Sequence, residues 1–264
     1  GCIPTKVLLR HAEVAQLVSR HASAFGLSDG LTADFSAAHT RSRQVSEGRV
    51  KGVHYLMKKN GIREFEGSGE FVDDHNITVT DAQGELIASI EFDHAIIATG
   101  SVIRSLPGVE FGPRVTGYIE MVLAEQMPES LVVIGAGPIG IEFASFFNTL
   151  GADTTVVEVM DRILPVEDAE ISAFAKKQFV KQGMKILEKA GVKKLDRKPG
   201  VGVTAHIEIG GKMETQEFDT VISAVGIVGN VENLGLEALG VKIDRTHVVT
   251  DEFCRTGEIG RAHV

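Results

Sequence analysis

Residues 131–142 read Leu131-Val132-Val133-Ile134-Gly135-Ala136-Gly137-Pro138-Ile139-Gly140-Ile141-Glu142. Four apolar residues suited to a buried strand run into a GxGxxG turn, and the residues after the turn fit a helix that ends near Leu150. The next strand, 154–158, ends on Glu158, 23 positions after Gly135. A strand, this turn, a helix and an acidic residue at the end of the following strand together predict a dinucleotide-binding β-α-β unit.

Each glycine of this turn has a separate physical task. Gly135 permits the tight turn, Gly137 lets a pyrophosphate approach the backbone, and Gly140 allows the helix to pack closely on the strand. The N-terminus of the helix adds free N–H groups and the positive end of a dipole. The alternative is that the glycines only turn a strand into a helix.

Glu158 predicts which nucleotide is bound. Its carboxylate would accept hydrogen bonds from a ribose 2′,3′-diol and repel a 2′-phosphate, so the sequence favours NAD over NADP. Arg162 follows four residues later and could face a phosphate. NADP therefore remains the open alternative.

Composition limits the classes of function. The length of 264 residues allows one large domain or two ordinary ones, and 43% hydrophobic with 24% charged residues is typical of a globular protein. A net charge of −9 argues against a nucleic-acid partner. No apolar run approaches the roughly 18–20 residues of a membrane span. Two cysteines favour a reducing compartment, and the scattered histidines predict no metal site.

The first hundred residues change from helical to strand patterning. Apolar residues at helical spacing predict helices over 5–24 and 34–58, the first following Pro4. Short apolar stretches at 70–72, 77–80 and 86–90, separated by turn residues, predict a three-stranded meander. Residues 95–98 fit a buried strand.

The region after the dinucleotide turn continues the α/β pattern. We expect a helix over 168–182, a strand near 185–187, and strands at 204–209 and 220–224 that flank the Gly210-Gly211 turn. The alternation of strands and helices predicts an α/β fold with parallel sheets.

The chain opens on Gly1-Cys2-Ile3-Pro4-Thr5-Lys6. A cysteine at the start of a helix is favoured as a nucleophilic thiolate, although such a cysteine taken alone is more often inert. This hexapeptide resembles the redox-helix motif of the flavin disulfide reductases. Stretches at 161–165, 225–230 and 232–236 make the chain most similar to the dihydrolipoyl dehydrogenase family, the E3 component of 2-oxoacid dehydrogenase complexes.

The resemblance implies roles for three catalytic residues. In that family a CxxxxC pair is redox-active, so Cys2 would be the flavin-side thiol and its partner would lie four residues before Gly1. Lys6 would approach the flavin ring, where its charge stabilises electron density. Glu142 would pair with Lys6 and lie beside the nicotinamide; the alternative is a solvated helix carboxylate.

The resemblance also implies residues that contact the cofactors FAD and NAD. Gly69 and Thr99-Gly100-Ser101 would line FAD, although without the family either would be an ordinary turn. Gly226 would close over the NAD site, and Val192 would touch the adenine side. Cys254 has no motif around it and is expected to be structural.

By the same resemblance, the fold comprises two Rossmann-like, three-layer nucleotide-binding domains, with the FAD domain truncated and carrying the inserted meander. We expect a partial FAD-binding domain at 1–104, an NAD-binding domain at 105–226 and the start of a second FAD segment at 227–257. Residues 258–264 resemble the translation of a sequencing adapter and are expected to be a non-native tail. The chain would thus be a fragment that lacks both termini.

The implied activity is the oxidation of protein-bound dihydrolipoamide through a redox disulfide and FAD, with reduction of NAD⁺. The partner would be the lipoyl domain of a 2-oxoacid dehydrogenase complex, and the full-length protein would be a homodimer in the bacterial cytoplasm. The alternatives are a mercuric or glutathione type of reductase, or an inert NAD-binding fragment. The first FAD motif, the interchange cysteine and the His–Glu dyad of the family are absent from the sequence, so no catalytic base is assigned.

Overall fold

A computed structural model describes residues 1–26, 33–198, 200–257 and 261–263. Its internal contacts divide the chain into two units, Gly1–Lys51 with Ile103–Gly226, and Gly52–Val102 with Ile227–Val264. Two of these divisions lie within two residues of the boundaries predicted at 104/105 and 226/227. The division at residue 51 was not expected, and the assignment of the segments to FAD and NAD domains stays a prediction.

The described helices and strands are as follows. The helices are α1 Cys2–His21, α2 Phe35–Lys59, α3 Tyr118–Val122, α4 Pro138–Thr149 and α5 Ala169–Lys181, with 3₁₀ turns at Ala22–Phe25 and Glu237–Leu239. The strands are β1 Ser68–Phe71, β2 Asn76–Thr80, β3 Leu86–Glu91, β4 Ala95–Ile97, β5 Ser101–Ile103, β6 Val115–Thr116, β7 Ser130–Ile134, β8 Asp153–Glu158, β9 Lys185–Glu188, β10 Ala190–Lys198, β11 Gly202–Ile209, β12 Lys212–Phe218, β13 Thr220–Ser223, β14 Ile227–Gly229, β15 Ile243–Asp244, β16 His247–Val248 and β17 Arg261–His263.

A five-stranded parallel sheet forms the centre of the first unit, in the order β6-β13-β7-β8-β9. The three central strands, β13, β7 and β8, are buried over most of their length, as is typical of parallel strands that are covered on both faces. On one face Leu131 and Val133 pack with Phe146 and Phe147 of α4. This arrangement confirms the α/β class and the parallel sheet.

A three-stranded antiparallel sheet, β10-β11-β12, covers the other face of the parallel sheet. Val203, Ala205 and Ile207 of β11 share a core cluster with Val132 and Val157. The unit therefore has three layers. The expectation that the strands at 204–209 and 220–224 flank Gly210-Gly211 is wrong, because β12 follows that turn and β13 belongs to the parallel sheet.

Both predicted N-terminal helices form. Helix α1 begins three residues earlier than expected, and it tolerates Pro4 because the N–H groups of a first turn have no intrahelical acceptor. Its apolar face places Leu8 and Ala12, each under 5% exposed, in the same core cluster as α4. Helix α2 agrees with the predicted bounds within one residue.

The second unit contains the predicted meander, the antiparallel sheet β1-β2-β3. Its core cluster contains Ile97, Leu236, Val241 and Val248. The predicted strand at 95–98 forms as β4, but only Ile97 is buried, at 2% exposure, whereas Ile96 is 67% exposed. The backbone of β4 pairs in parallel with that of β17.

The prediction of a non-native tail at 258–264 falls partly outside the described residues, which omit 258–260 and 264. Within the described ranges, no helix is both long enough and apolar enough to cross a membrane. The same residues contain no cluster of three or more histidine, cysteine, aspartate or glutamate side chains suited to a metal ion.

Candidate functional site

The GxGxxG turn joins β7 to α4 at the carboxyl end of the parallel sheet. Gly135 has φ +100°, and a β-carbon there would lie 2.5 Å from the carbonyl oxygen of Ala224. At Gly140 a β-carbon would lie 2.0 Å from the carbonyl oxygen of Gly135. Both positions therefore require glycine for the backbone to close, as the sequence predicts.

Gly137, the middle glycine of the turn, has a different environment. A β-carbon at Gly137 would meet no atom within 4 Å, so neither packing nor an unusual φ, which is −70°, demands glycine there. Open space in front of Gly137 fits its predicted role of admitting a pyrophosphate.

Helix α4 presents its N-terminus at this turn. Gly137 is the N-cap and provides no side-chain cap, while Pro138 occupies the first helical position. The first helical hydrogen bond runs from the Ile141 N–H to the Gly137 oxygen, at 3.0 Å. The uncapped N–H groups of the first turn, which includes Ile139, make this end of α4 suitable for an anion.

Glu158 lies at the end of β8 and is only 6% exposed. Its Oε2 accepts a hydrogen bond from the Ala136 N–H at 2.7 Å, and its Oε1 accepts one from the Met160 N–H at 2.8 Å. A carboxylate has about four lone-pair positions, so these two bonds leave acceptor capacity for a ribose diol. Glu158, the residue predicted to bind the ribose, is therefore hydrogen-bonded directly to the turn.

Arg162, the residue because of which NADP remained an alternative, contacts residues of its own loop. Its Nη2 donates to the carbonyl oxygen of Pro165 at 3.1 Å, and its Nη1 lies 3.7 Å from Oδ1 of Asp161. These contacts hold the guanidinium within the loop that follows β8.

Gly226 and Val192 lie on segments that border the turn. The Ala224 N–H donates to the Ile134 oxygen at 2.8 Å, which holds the 224–226 segment next to Gly135. Gly226 itself has φ +111°. Val192 is half-buried on β10, and its neighbour Gly191 would place a β-carbon 3.5 Å from Val159, the residue after Glu158.

The redox-helix residues lie on α1. Cys2 is exposed in the first turn of the helix, and it is a free thiol. One turn later, Lys6 forms an ion pair with Oε1 of Glu142, the fifth residue of α4. The contact that the resemblance implied between these two residues, 136 positions apart, is present.

The residues predicted to line FAD in the second unit are Gly69 and Thr99-Gly100-Ser101. A cavity of about 550 Å³ is lined by Gly69, Thr99 and Asn230, among others, whereas Gly100 and Ser101 do not line it. Thr99 and Asn230 exchange hydrogen bonds, from Thr99 Oγ1 to the Asn230 oxygen at 2.6 Å and from Asn230 Nδ2 to the Thr99 oxygen at 3.0 Å. The structure thus brings Gly69 and Thr99 together around one open space, which fits a bound ligand.

Sequence reasoning missed Glu188, at the end of β9. This side chain accepts a hydrogen bond from the Ile163 N–H at 3.3 Å and pairs with Lys176 at 2.5 Å. Its position at the end of a strand was the one available signal in the sequence. The structure shows that this strand, β9, is the neighbour of β8, so that Glu188 is the register partner of Glu158.

One resolved pKa shift in the first unit lies away from the turn, on the β10–β11 hairpin. Hydrogen bonds from Lys194 and His206 lower the pKa of the Asp196 carboxyl below its usual value of 3.8. The Lys194 Nζ and His206 Nε2 atoms each lie 2.7 Å from an oxygen of Asp196.

Comparison with known proteins gives a consistent set of relatives. Residues 1–260 match the family model of pyridine nucleotide-disulphide oxidoreductases. The chain is 42% identical over 257 residues to dihydrolipoyl dehydrogenase of Mycobacterium tuberculosis, covering 97% of this chain and 55% of that protein. It is 45% identical over 277 residues to the Rhizobium etli dihydrolipoyl dehydrogenase, covering 98% of this chain and 57% of the relative.

Solved structures give the same result. LpdA from Mycobacterium tuberculosis superposes on the whole chain with a TM-score of 0.90 at 25% identity, and the match covers 57% of LpdA. The HOCl-induced flavoprotein disulfide reductase RclA from Escherichia coli gives a TM-score of 0.82 at 25% identity, with 55% of RclA covered. The chain thus spans about half the length of the relatives that it matches.

Proposed function

The chain belongs to the pyridine nucleotide-disulphide oxidoreductase family, and we propose that the protein containing it is a dihydrolipoyl dehydrogenase. Members of this family use FAD and NAD(H). In the proposed reaction, protein-bound dihydrolipoamide is oxidised to the disulfide and NAD⁺ is reduced to NADH. The partner would be a lipoyl domain of a 2-oxoacid dehydrogenase complex, and the protein would act as a homodimer in the bacterial cytoplasm.

The observation that carries the proposal is the Lys6–Glu142 ion pair. It joins the helix that bears Cys2 to the N-terminal half of the dinucleotide helix α4. The pair places the thiol-bearing helix beside the nucleotide helix, which supports electron transfer between a dithiol and a nicotinamide through a flavin that contacts both. Among the functions considered, only a flavin disulfide reductase uses both features.

The nucleotide part of the site would be formed by the turn and by Glu158. The first-turn N–H groups of α4 would bind the pyrophosphate, and Gly137 would leave room for it. Glu158 would accept hydrogen bonds from the adenosine ribose while its charge repels a 2′-phosphate, which supports NAD rather than NADP. Gly226 and Val192 would border the bound nucleotide.

Lys6, Gly69 and Thr99-Gly100-Ser101 would hold FAD. When bound, FAD supplies the two-electron chemistry that a thiol and a nicotinamide lack between them. By the family resemblance Lys6 would bring a positive charge to the flavin, and its ion pair with Glu142 would balance and orient that charge. Cys2, exposed in the first turn of α1, would be the thiol that faces the flavin.

The test is an assay of the full-length protein whose gene contains this sequence. We expect turnover with dihydrolipoamide and NAD⁺, and loss of that turnover in the Cys2→Ser variant, while FAD content is retained. Glutathione disulfide and mercuric ion, assayed with NADH and NADPH, represent the rival reductases. Faster turnover with either rival substrate than with dihydrolipoamide would contradict the proposal.

A second candidate, an inert NAD-binding module, applies to the 264-residue chain by itself. Its two cysteines are both free, and only Cys2 lies on the redox helix. We therefore expect the purified chain to bind NADH but not to oxidise dihydrolipoamide, even with FAD added. Measurable turnover would contradict this expectation.

A further inference from the structure

Two carboxylates lie side by side at the carboxyl end of the parallel sheet. Glu158 ends β8 and Glu188 ends β9, and the two residues are direct partners in the parallel register. Glu158 is 6% exposed, and the side chain of Glu188 is 16% exposed. Two neighbouring carboxylates that are this buried repel each other and are poorly solvated. Each one therefore needs hydrogen-bond donors or a positive charge beside it.

Both carboxylates hold the same loop, residues 159–167, which connects β8 to β9 by way of α5. Glu158 accepts from the Met160 N–H at the beginning of the loop, at 2.8 Å. Glu188 accepts from the Ile163 N–H in its middle, at 3.3 Å. Ile163 is fully buried, so the loop is fixed there by packing as well.

The loop in turn holds the dinucleotide turn. The Leu164 N–H donates to the Ala136 carbonyl oxygen at 2.8 Å, while the Ala136 N–H donates to Glu158 at 2.7 Å. The Ala136 residue is thus bound on both sides, by the loop and by the ribose-side carboxylate. A shift of the loop at Ile163 would be passed to Ala136 and from there to Glu158.

Lys176 supplies the charge that this arrangement needs. Its Nζ lies 2.5 Å from Oε2 of Glu188, the oxygen that does not accept from Ile163. The ion pair offsets the negative charge beside Glu158 and fixes the orientation of the Glu188 carboxylate. Lys176 lies on α5, so the pair also ties that helix to β9.

We infer that Glu188 is a positioning residue for the nucleotide site. It acts through the Ile163–Leu164 segment to hold Ala136 and, through Ala136, the carboxylate of Glu158 in the geometry that accepts a ribose diol. The inference rests on the proposed binding of a nicotinamide nucleotide at this turn. Glu188 does not itself touch the nucleotide, and its contribution is to affinity and to discrimination against a 2′-phosphate.

The experiment measures the Kd of NADH and of NADPH for the purified chain, by titration calorimetry, in Glu188→Ala and Glu188→Gln. Alanine removes the acceptor of the Ile163 N–H, whereas glutamine keeps one acceptor oxygen. The matched control is Asp153→Ala. It breaks the 2.8 Å ion pair with Lys185, which joins the same two strands at their opposite ends.

We expect E188A to weaken NADH binding by about three- to tenfold, as the loss of one positioning hydrogen bond implies. The ratio of the NADPH Kd to the NADH Kd should fall as well. E188Q should restore both quantities to within about twofold of wild type, and D153A should leave both unchanged. A loss of stability alone would lower the fraction of folded chain and leave this ratio unaltered.

Glu188→Ser replaces E188A if the alanine variant does not fold, since serine is polar but too short to reach Ile163. A folded E188A or E188S with wild-type Kd values for both nucleotides would overturn the inference while leaving the proposed function intact. A failure of wild type to bind NADH would contradict the proposed nucleotide site, and the inference with it.

Discussion

The two regions expected to bind nucleotides differ in how they are built. The dinucleotide turn has close backbone contacts at Gly135 and Gly140, and its acidic residue, Glu158, is buried and doubly hydrogen-bonded. In the flavin-side region of the second unit, Gly69 and Thr99 are exposed and line an open cavity. The turn is formed by one continuous β-α-β segment, whereas the cavity collects residues near positions 69, 99 and 230.

This difference teaches which residues are open to substitution. In the turn, packing and ligand binding depend on the same atoms, so most changes should alter stability and nucleotide affinity together. In the flavin-side region, Gly69 and Thr99 are exposed, whereas Phe71, Ile97 and Leu234 line the same cavity and also belong to the core of the unit. Substitutions at the exposed positions of this region should be tolerated by the fold, and should leave NADH binding as it is.

The largest expected effect comes from a matched pair of glycine substitutions. Gly140→Ala puts a β-carbon 2.0 Å from the Gly135 oxygen, and should lower the free energy of unfolding by about 3 kcal/mol or more. Gly69→Ala puts a β-carbon 3.7 Å from Ile77, which is an ordinary contact, and should change the free energy of unfolding by less than about 1 kcal/mol. Urea denaturation measures both. Equal losses would contradict the comparison.

The next largest effect is expected from replacing Glu158 at the dinucleotide turn, compared with replacing Glu232 in the flavin-side region. Glu158→Ala leaves the Ala136 and Met160 N–H groups without their acceptor, and should cost roughly 2 to 4 kcal/mol of stability along with most NADH affinity. Glu232→Ala, at the rim of the flavin-side cavity, is the control and should change neither. Thermal unfolding with and without NADH checks this prediction. A Glu158→Ala variant as stable as wild type would show that these hydrogen bonds contribute little.

The turn could be predicted from sequence because its determinants are local. Gly135, Gly140 and Glu158 follow from spacing along one segment, and the structure places them as expected. Strands β10 and β12 were missed because their side chains are largely charged or polar, with most of β12 exposed. They form because β11 between them is buried and supplies the pairing on both sides.

The remaining features depend on contacts between distant positions. The Lys6–Glu142 pair spans 136 residues and was reached only through the family resemblance. The role of Glu188 was not predicted, since a glutamate ending a short strand has no distinctive pattern. Only the sheet order, which places β9 beside β8, reveals that it shares a loop with Glu158.

A smaller effect is expected at Asn230, in the flavin-side region. Asn230→Ala removes the donor to the Thr99 oxygen but keeps its own carbonyl as acceptor for the Thr99 hydroxyl. The loss should be about 1 kcal/mol, the value of one exposed hydrogen bond, with no change in the Kd of NADH. Denaturation and calorimetry on the same preparation measure both, and a weaker NADH affinity would contradict the separation of the two regions.

Lys6→Met should change the free energy of unfolding by less than about 1 kcal/mol, because the Lys6 side chain is 63% exposed and that of Glu142 is 31% exposed. Arg10→Met is the control, since it breaks the exposed Arg10–Glu13 pair on the same helix. In the full-length protein, only Lys6→Met should slow turnover with dihydrolipoamide. Equal turnover in both variants would remove Lys6 from the proposed site.

The smallest effect provides a reference that lies outside both regions. The lowered pKa of Asp196 means that its contribution to stability is present above pH 3.8 and is lost as the pH falls through the folded-state pKa. Asp196→Asn should therefore be slightly less stable than wild type at neutral pH and equal to it in strong acid. Thermal unfolding of both proteins between neutral pH and strong acid measures the difference in their stability. A difference that persists in acid would point to a cause other than the carboxylate charge.

The most direct test of the account is the ratio of the NADPH and NADH dissociation constants of the wild-type chain. With Glu158 buried against the turn, NADH should bind at least about tenfold more tightly than NADPH, because a 2′-phosphate beside this carboxylate costs more than about 1.4 kcal/mol. Equal binding, a preference for NADPH, or no binding of either nucleotide would contradict the assignment of this turn as the NAD site.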